Sequence, residues 1–254
     1  MKPSRSSASA TRPLDDLLFS QGFGTRRICS GQVQAGMVQV NGQVVDDPSA
    51  RFSPDGLVLT VSGVDWPFYE KALVILHKPV GYECSQKPKH HPSVLKLLPP
   101  PLRERGMQPI GRLDLESTGM LLLTDDGALI HRATHPKRHV PKVYRATTAR
   151  PIEPEQIAKL LAGVVLMDDP SPVRAVACHA TGERELEITL SEGKYHQVRR
   201  MLAAVGNHVE ALHRFQTGLL TMPADLAEGK WCWVTPEQQA LLFGAELPKP
   251  TPTA

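Results

Sequence analysis

The chain has 254 residues, 41% of them hydrophobic and 22% charged, with a formal net charge of +3. That is long enough to bury one large core or two smaller ones, and too weakly charged for a protein that binds nucleic acid through bulk charge alone. Four scattered cysteines (Cys29, Cys84, Cys178, Cys232) form no C-x-x-C pair, and no apolar run approaches the roughly 20 residues that span a bilayer, which together argue against a zinc site, a disulfide framework or a membrane span and fit the reducing cytoplasm.

The first residues, 1–12, contain Ser and Arg but no acid and no apolar stretch of the kind a signal peptide carries. They read as a disordered, weakly basic arm. Residues 13–63 read as a small module. Leu14, Leu17 and Leu18 recur at helical spacing, and Gly22 and Gly24 end that helix. Thr25 then has the chemistry of an N-cap for a second helix running through Val33. Arg26 and Arg27 fall in its first turn, where the helix dipole disfavours each positive charge by roughly 0.3–1 kcal/mol. A placement against the dipole suggests a use, such as gripping phosphate. Next, Val38–Val45 sets alternating apolar residues around Asn41-Gly42, the strongest short hairpin signal.

This helix, Arg-bearing helix and Asn-Gly hairpin resemble the S4 RNA-binding domain, through Gly36, Val38, Val40, Asn41 and Gly42 among others. Residues 1–63 hold six basic and five acidic side chains, so RNA binding by such a module would be local, through Arg26, Arg27 and the hairpin.

Residues 64–69, with Trp66-Pro67, read as a linker, and a larger domain follows over 70–243. Leu73–Leu76 is a short apolar strand that runs into a Pro-Gly turn at His77–Tyr82. Gly111–Gly127 sets the carboxylate of Asp114 beside the guanidinium of Arg112, ahead of the buried strand Met120–Leu123. Asp125-Asp126-Gly127 closes that strand with turn chemistry. Asp114 therefore stands on a loop braced by core structure, where a reactive side chain can be held rigidly. From local pattern alone it is equally well a turn or capping aspartate.

Residues 128–134 form one or two helical turns, Val143–Thr147 a strand, and Pro154–Leu161 a helix closed by Gly163. Arg174–Ala180 and Glu185–Leu190 pair about Thr181-Gly182, Tyr195–Val205 is a helix, and His208–Phe215 alternates as a strand. Trp231 and Trp233 alternate on a strand as packing residues, and Thr235–Gln238 opens a last helix through Phe243 with a capping box. Residues 244–254 read as an unstructured tail. Strands separated by single helices in no strict βαβ order predict an α+β domain with a mixed, mostly antiparallel sheet. Residues 87–150 carry twelve Lys/Arg against five acids, plus five histidines, a basic field that suits a polyanion.

Four separated stretches of the larger domain are similar to the motifs of RNA pseudouridine synthases. They are His77–Gly81, where an asparagine commonly stands at the first position, Gly111–Gly127, Lys142-Val143-Tyr144, and Glu192–Met201. The resemblance implies isomerisation of a uridine, with Asp114 as the catalytic carboxylate, Tyr144 stacking on the base and handling a proton, and Arg199 pairing with the aspartate. It implies an RNA-facing rim of Lys78, Arg112, Lys142, Lys194 and Arg200; Arg112 either helps extrude the nucleotide or braces the loop. No metal and no diffusible cofactor are implied. Tyr82–Ser85, His91–Leu95, His131–Pro136 and Gly193–Val198 look most like the small-subunit enzymes of the family. That implies uridine 516 of 16S ribosomal RNA as target, in an assembly intermediate of the small subunit, and a monomeric enzyme. The alternatives are a 23S enzyme of the same family and a non-enzymatic S4-type assembly factor. A glycosidase pair from Asp114 and Glu116, and a metal site from His131, His135 and His139, are disfavoured by their spacing.

Overall fold

The computed structural model describes residues 10–135, 138–167 and 169–244, and the chain divides into two compact units. The first comprises residues 1–72 with an excursion, 98–107; the second comprises 73–97 and 108–254. The expected disordered arm and tail fall largely outside the described residues.

In the first unit β1 (Arg12–Pro13) leads into α1 (Leu14–Ser20), whose Leu14, Leu17 and Leu18 are fully buried. Helix α2 (Arg26–Gln34) follows, and the Thr25 hydroxyl accepts from the Ile28 amide as its N-cap. Strands β2 (Val38–Val40) and β3 (Gln43–Val44) turn through Asn41 and Gly42 at φ 51° and 82°, the two left-handed positions a two-residue hairpin demands. Strand β4 (Arg51–Phe52) pairs with β1, while β5 (Val58–Val61) and β6 (Val64–Pro67) complete a sheet of order β3-β2-β5-β6. Helix α3 (Pro100–Glu104) belongs to this unit, with Leu102 buried.

Two expectations are corrected here. Residues 64–67 are not a linker but strand β6, because Trp66 is buried edge-on against Phe23, ring centroids 5.1 Å apart. The arm does not extend through Arg12: that residue pairs in β1, and its guanidinium holds Asp16 at 3.0 Å and Glu70 at 3.1 Å.

The second unit is built on one sheet. Its strands are β7 (Leu73–Lys78), β8 (Gln108–Pro109), β9 (Ser117–Thr124), β10 (Lys142–Thr148), β13 (Ala177–Ala180), β14 (Glu185–Leu190), β15 (Val209–Thr217), β16 (Leu220–Thr221) and β17 (Trp231–Trp233). The order is β13-β14-β10-β15-β9-β7-β17, with β16 on β15 and β8 on β9. All pairs are antiparallel except β15 with β9, so the sheet is mixed and mostly antiparallel. Helices α4 (Gly127–Thr134), α5 (Pro154–Ala162), α6 (Gln197–Ala204) and α7 (Pro236–Ala240) flank it, and β11 (Val164–Leu166) pairs with β12 (Asp169–Val173) as a separate hairpin. One core cluster joins Leu73, Ile75, Met120 and Leu122 of the sheet to Leu129, Val234 and Leu242. Among the described residues no helix is long and apolar enough to cross a membrane.

The central pair β9–β15 is close because residue 119 is glycine. Gly119 has φ +105°, and a Cβ there would stand 2.2 Å from the Arg214 carbonyl oxygen. No other residue lets these two strands meet at this spacing.

Candidate active site

Asp114 lies on the segment between β8 and β9, and its neighbours are pinned from several directions. Cys84 Sγ stands 3.4 Å from both the amide and the carbonyl of Leu113, accepting from one and donating to the other. Burial pushes that thiol up, so the bridge is made by a neutral S–H. The Gly81 amide donates to Leu115 O at 2.9 Å. Lys78, with no exposed surface, donates its Nζ to the carbonyls of Pro79 (2.9 Å), Leu115 (3.3 Å) and Ser117 (2.9 Å). Buried Arg214 donates Nε to Met120 O at 2.9 Å and Nη1 to Arg112 O at 3.4 Å. The carboxylate is thus fixed by its backbone, with its own oxygens left for the site.

Those oxygens open on a cavity of about 720 Å³ in the second unit, whose wall includes Arg112, Asp114, Lys142, Tyr144, Lys194, Tyr195, His196 and Arg214. Tyr144 is supplied by β10 and Arg214 by β15, at paired positions of the ladder, with the guanidinium carbon 6.0 Å from the tyrosine ring centroid. His196 reaches Asp114 Oδ1 with Nε2 at 3.5 Å. Its own backbone is left-handed, φ 49°, which is sparsely populated by residues other than glycine and delays the start of α6 from the expected Tyr195 to Gln197. Tyr195, two-thirds exposed, stacks on the His196 ring at 3.9 Å and 16°. Lys142 also lines the cavity; burial, then the nearby Arg214 charge, brings its ammonium down to about 8.

The structure brings Asp114, Tyr144, Arg112, Lys142 and Lys194 to one cavity. Three expectations differ. Lys78 cannot face RNA, since it is wholly buried and spends its donors on the Asp114 loop. Arg199 does not pair with Asp114: its Nη2 lies 3.7 Å from Glu116, its Nη1 donates to Val209 O at 3.0 Å, and it does not line the cavity. Backbone direction explains this, because Glu116 points out of the turn that Asp114 points into; the two carboxylates engage different partners and do not form an acid–base pair. In the first unit Arg26 is committed to Asp16, Nη1 to Oδ1 2.5 Å, and lies over the Phe19 ring at 4.6 Å, whereas Arg27 remains exposed. Arg200 donates to Tyr195 O at 3.0 Å and so braces the stacked pair.

Sequence reasoning assigned no role to His196 or Arg214. His196 was within reach, as the polar residue of the Glu192–Met201 stretch one turn from Arg199. For Arg214 the signal was an arginine in an otherwise alternating strand, a position that needs a buried polar partner.

Comparison with known proteins matches residues 72–204 to the RNA pseudouridylate synthase family and residues 12–58 to the S4 domain. The ribosomal small subunit pseudouridine synthase A of Escherichia coli (strain K12) is 34% identical over 226 residues, covering 89% of this chain and 97% of that protein. The Yersinia pestis protein of the same name is 34% identical over 234 residues, 92% of this chain and 99% of its own. An uncharacterized RNA pseudouridine synthase of Bacillus subtilis (strain 168) is 35% identical over 90% of this chain and 97% of that protein. A crystal structure of a pseudouridylate synthase, 31% identical, superposes with a TM-score of 0.65 over 91% of this chain and 99% of its own.

Proposed function

The chain belongs to the RNA pseudouridylate synthase family, and on that premise we propose that it isomerises one uridine of small-subunit ribosomal RNA, with Asp114 as the catalytic carboxylate. The observation that carries this reading is the cavity itself. A partly exposed carboxylate on a pinned loop shares the cavity with a buried tyrosine and with the cationic side chains of Arg112, Lys142, Lys194 and Arg214.

The reaction breaks the bond from N1 of uracil to ribose C1′, turns the base, and joins C5 to C1′; C5 then loses its proton and N1 gains one. No redox change occurs and no group is added. A single ionised carboxylate serves this chemistry, as nucleophile or as the anionic partner of a sugar-centred cation. His196 Nε2 lies 3.5 Å from the Asp114 carboxylate, and the buried Arg214 lines the same cavity. Tyr144 offers a flat face to the turning base and a hydroxyl for the proton at C5. Arg199 holds Glu116, the loop's second carboxylate, from outside the cavity wall. Since the target atoms lie inside stacked RNA, the nucleotide is flipped into the cavity while Arg112, Lys142 and Lys194 hold the distorted backbone. Arg27 on α2 gives the first unit a phosphate contact.

The names of the relatives point to the small subunit, and uridine 516 of 16S RNA is the site we assign. The enzyme acts in the cytoplasm, as a monomer, on an assembly intermediate of that subunit. Chemical-adduct mapping of pseudouridine, in cells with and without the protein, tests this. One site in 16S RNA should disappear with the protein. Loss confined to 23S RNA would overturn the target, and no loss in any ribosomal RNA would overturn the enzyme.

A further inference from the structure

One part of the second unit is organised in a way the Asp114 chemistry does not require. Between β7 and the turn of 3-10 helix at Val94–Leu97, the chain makes a closed loop over residues 83–93. Its ends meet through the Glu83 amide on Pro92 O at 2.9 Å and the Val94 amide on Glu83 O at 3.0 Å. Ser93 Oγ closes on Ser85 O at 2.5 Å, and Ser85 Oγ accepts from the Lys87 amide at 3.0 Å. Inside the loop the Glu83 carboxylate accepts three consecutive backbone amides: Lys89 at 3.0 Å, His90 at 2.9 Å and His91 at 2.9 Å. The bonds from His90, His91 and Lys89 bring that carboxyl down to about 2, so it stays ionised at any working pH.

The carboxylate therefore spends its charge inward, on the backbone. What the loop shows to solvent is Lys87, Lys89, His90 and His91, all exposed, on a segment stiffened by Pro88 and Pro92. No acidic residue occurs between Glu83 and Glu104. Neither lysine forms an ion pair among the described residues, so both charges are uncommitted. Cys84, at the base of the loop, is the residue tied to Leu113, next to Asp114. A rigid cationic surface is thus fastened to the catalytic loop.

We propose that residues 83–93 form a preorganised clamp for the phosphate backbone flanking the flipped nucleotide, with Lys87 and Lys89 contacting phosphate and Glu83 as the positioning residue that shapes the loop. This rests on the reading of the second unit as an RNA-modifying enzyme. Preorganisation matters because a flexible lysine loop loses conformational freedom on binding, whereas one already closed by its own hydrogen bonds loses less. Each phosphate contact releases counterions, so the clamp has a salt signature that a packing role lacks.

The experiment measures binding of a protein-free 16S RNA fragment to the full chain across a potassium chloride series, alongside steady-state pseudouridine formation. For Lys87→Ala/Lys89→Ala the slope of log affinity against log salt should shrink by about 1.5, the sum of two contacts of roughly 0.7–0.9 each. Glu83→Ala should raise KM for RNA several-fold with a smaller change in kcat, and Glu83→Gln, whose amide oxygen still accepts, should recover part of it. Should Glu83→Ala fail to fold, the exposed lysine pair still decides the matter. An unchanged salt slope in the lysine variant overturns the clamp. So does weakened binding to protein-containing ribosomal particles without any effect on protein-free RNA, which would make the loop's partner a protein. If the wild-type chain binds RNA yet forms no pseudouridine, the functional reading fails, and the slope comparison still tests the loop.

Discussion

At the residue scale, the site is a carboxylate whose backbone is held by the side chains of Lys78, Cys84 and Arg214. Lys78 is the extreme case: burial lowers its ammonium below the usual range, and it stays in place because three carbonyls accept from it. Lys78→Met keeps the volume but removes the ammonium from all three carbonyls, leaving Leu115 O with only the Gly81 amide. It should destabilise the protein by about 2–4 kcal/mol in urea and slow turnover as the Asp114 loop drifts. Lys142 gives a pH prediction. Its folded value of about 8 is below the ordinary lysine range, so between the two the unfolded chain binds more protons and stability should rise with pH; the penalty is complete below pH 8. RNA phosphate at that ammonium should push its value back up. Calorimetric titrations near pH 8.5, in buffers of different ionisation enthalpy, should therefore register proton uptake on RNA binding, and Lys142→Met should abolish that uptake. That Asp114 and Tyr144 would meet at one cavity was legible in the sequence, because both sit in dense local strings. The Asp114–Arg199 pair was not, since motif proximity says nothing of which way two side chains leave a turn.

At the scale of elements, the site depends on the β9–β15 contact, since β9 follows Asp114 and β15 carries Arg214. Gly119→Ala would force its Cβ against the Arg214 backbone from a left-handed φ. The cost should be about 3 kcal/mol or more, read as a lower urea midpoint with unchanged slope, and activity should fall with it. Helices with explicit caps were easy to read: Thr25 on α2, the Thr235 box on α7, and Pro154 with Gly163 around α5. Strands β8, β11 and β12 were not, because two- to five-residue pairings carry no periodicity of their own. Strand β6 was missed for a different reason. Its Trp-Pro reads as punctuation, yet Pro67 closes the last rung and the tryptophan ring, not the backbone pattern, decides its burial.

At the scale of the whole molecule, the chain leaves its first unit at residue 72 and returns to it at 98–107, where Arg105 donates to Gln21 Oε1 at 2.7 Å and to Tyr69 O at 2.9 Å. Sequence could not show that return, because residues 98–107 lie between two motifs of the larger domain. A truncation before residue 64 would strand Leu102 and Arg105, so the first unit's part in binding is better tested by Arg27→Ala, which should weaken RNA affinity a few-fold and lower the salt slope by about 0.7–0.9. The central claim is that one carboxylate performs the isomerisation, and it is tested most directly by Asp114→Asn in the full chain, assayed on protein-free 16S RNA for pseudouridine and for affinity. The account predicts no detectable pseudouridine with RNA affinity within a few-fold of wild type; pseudouridine formed at a wild-type rate would contradict it.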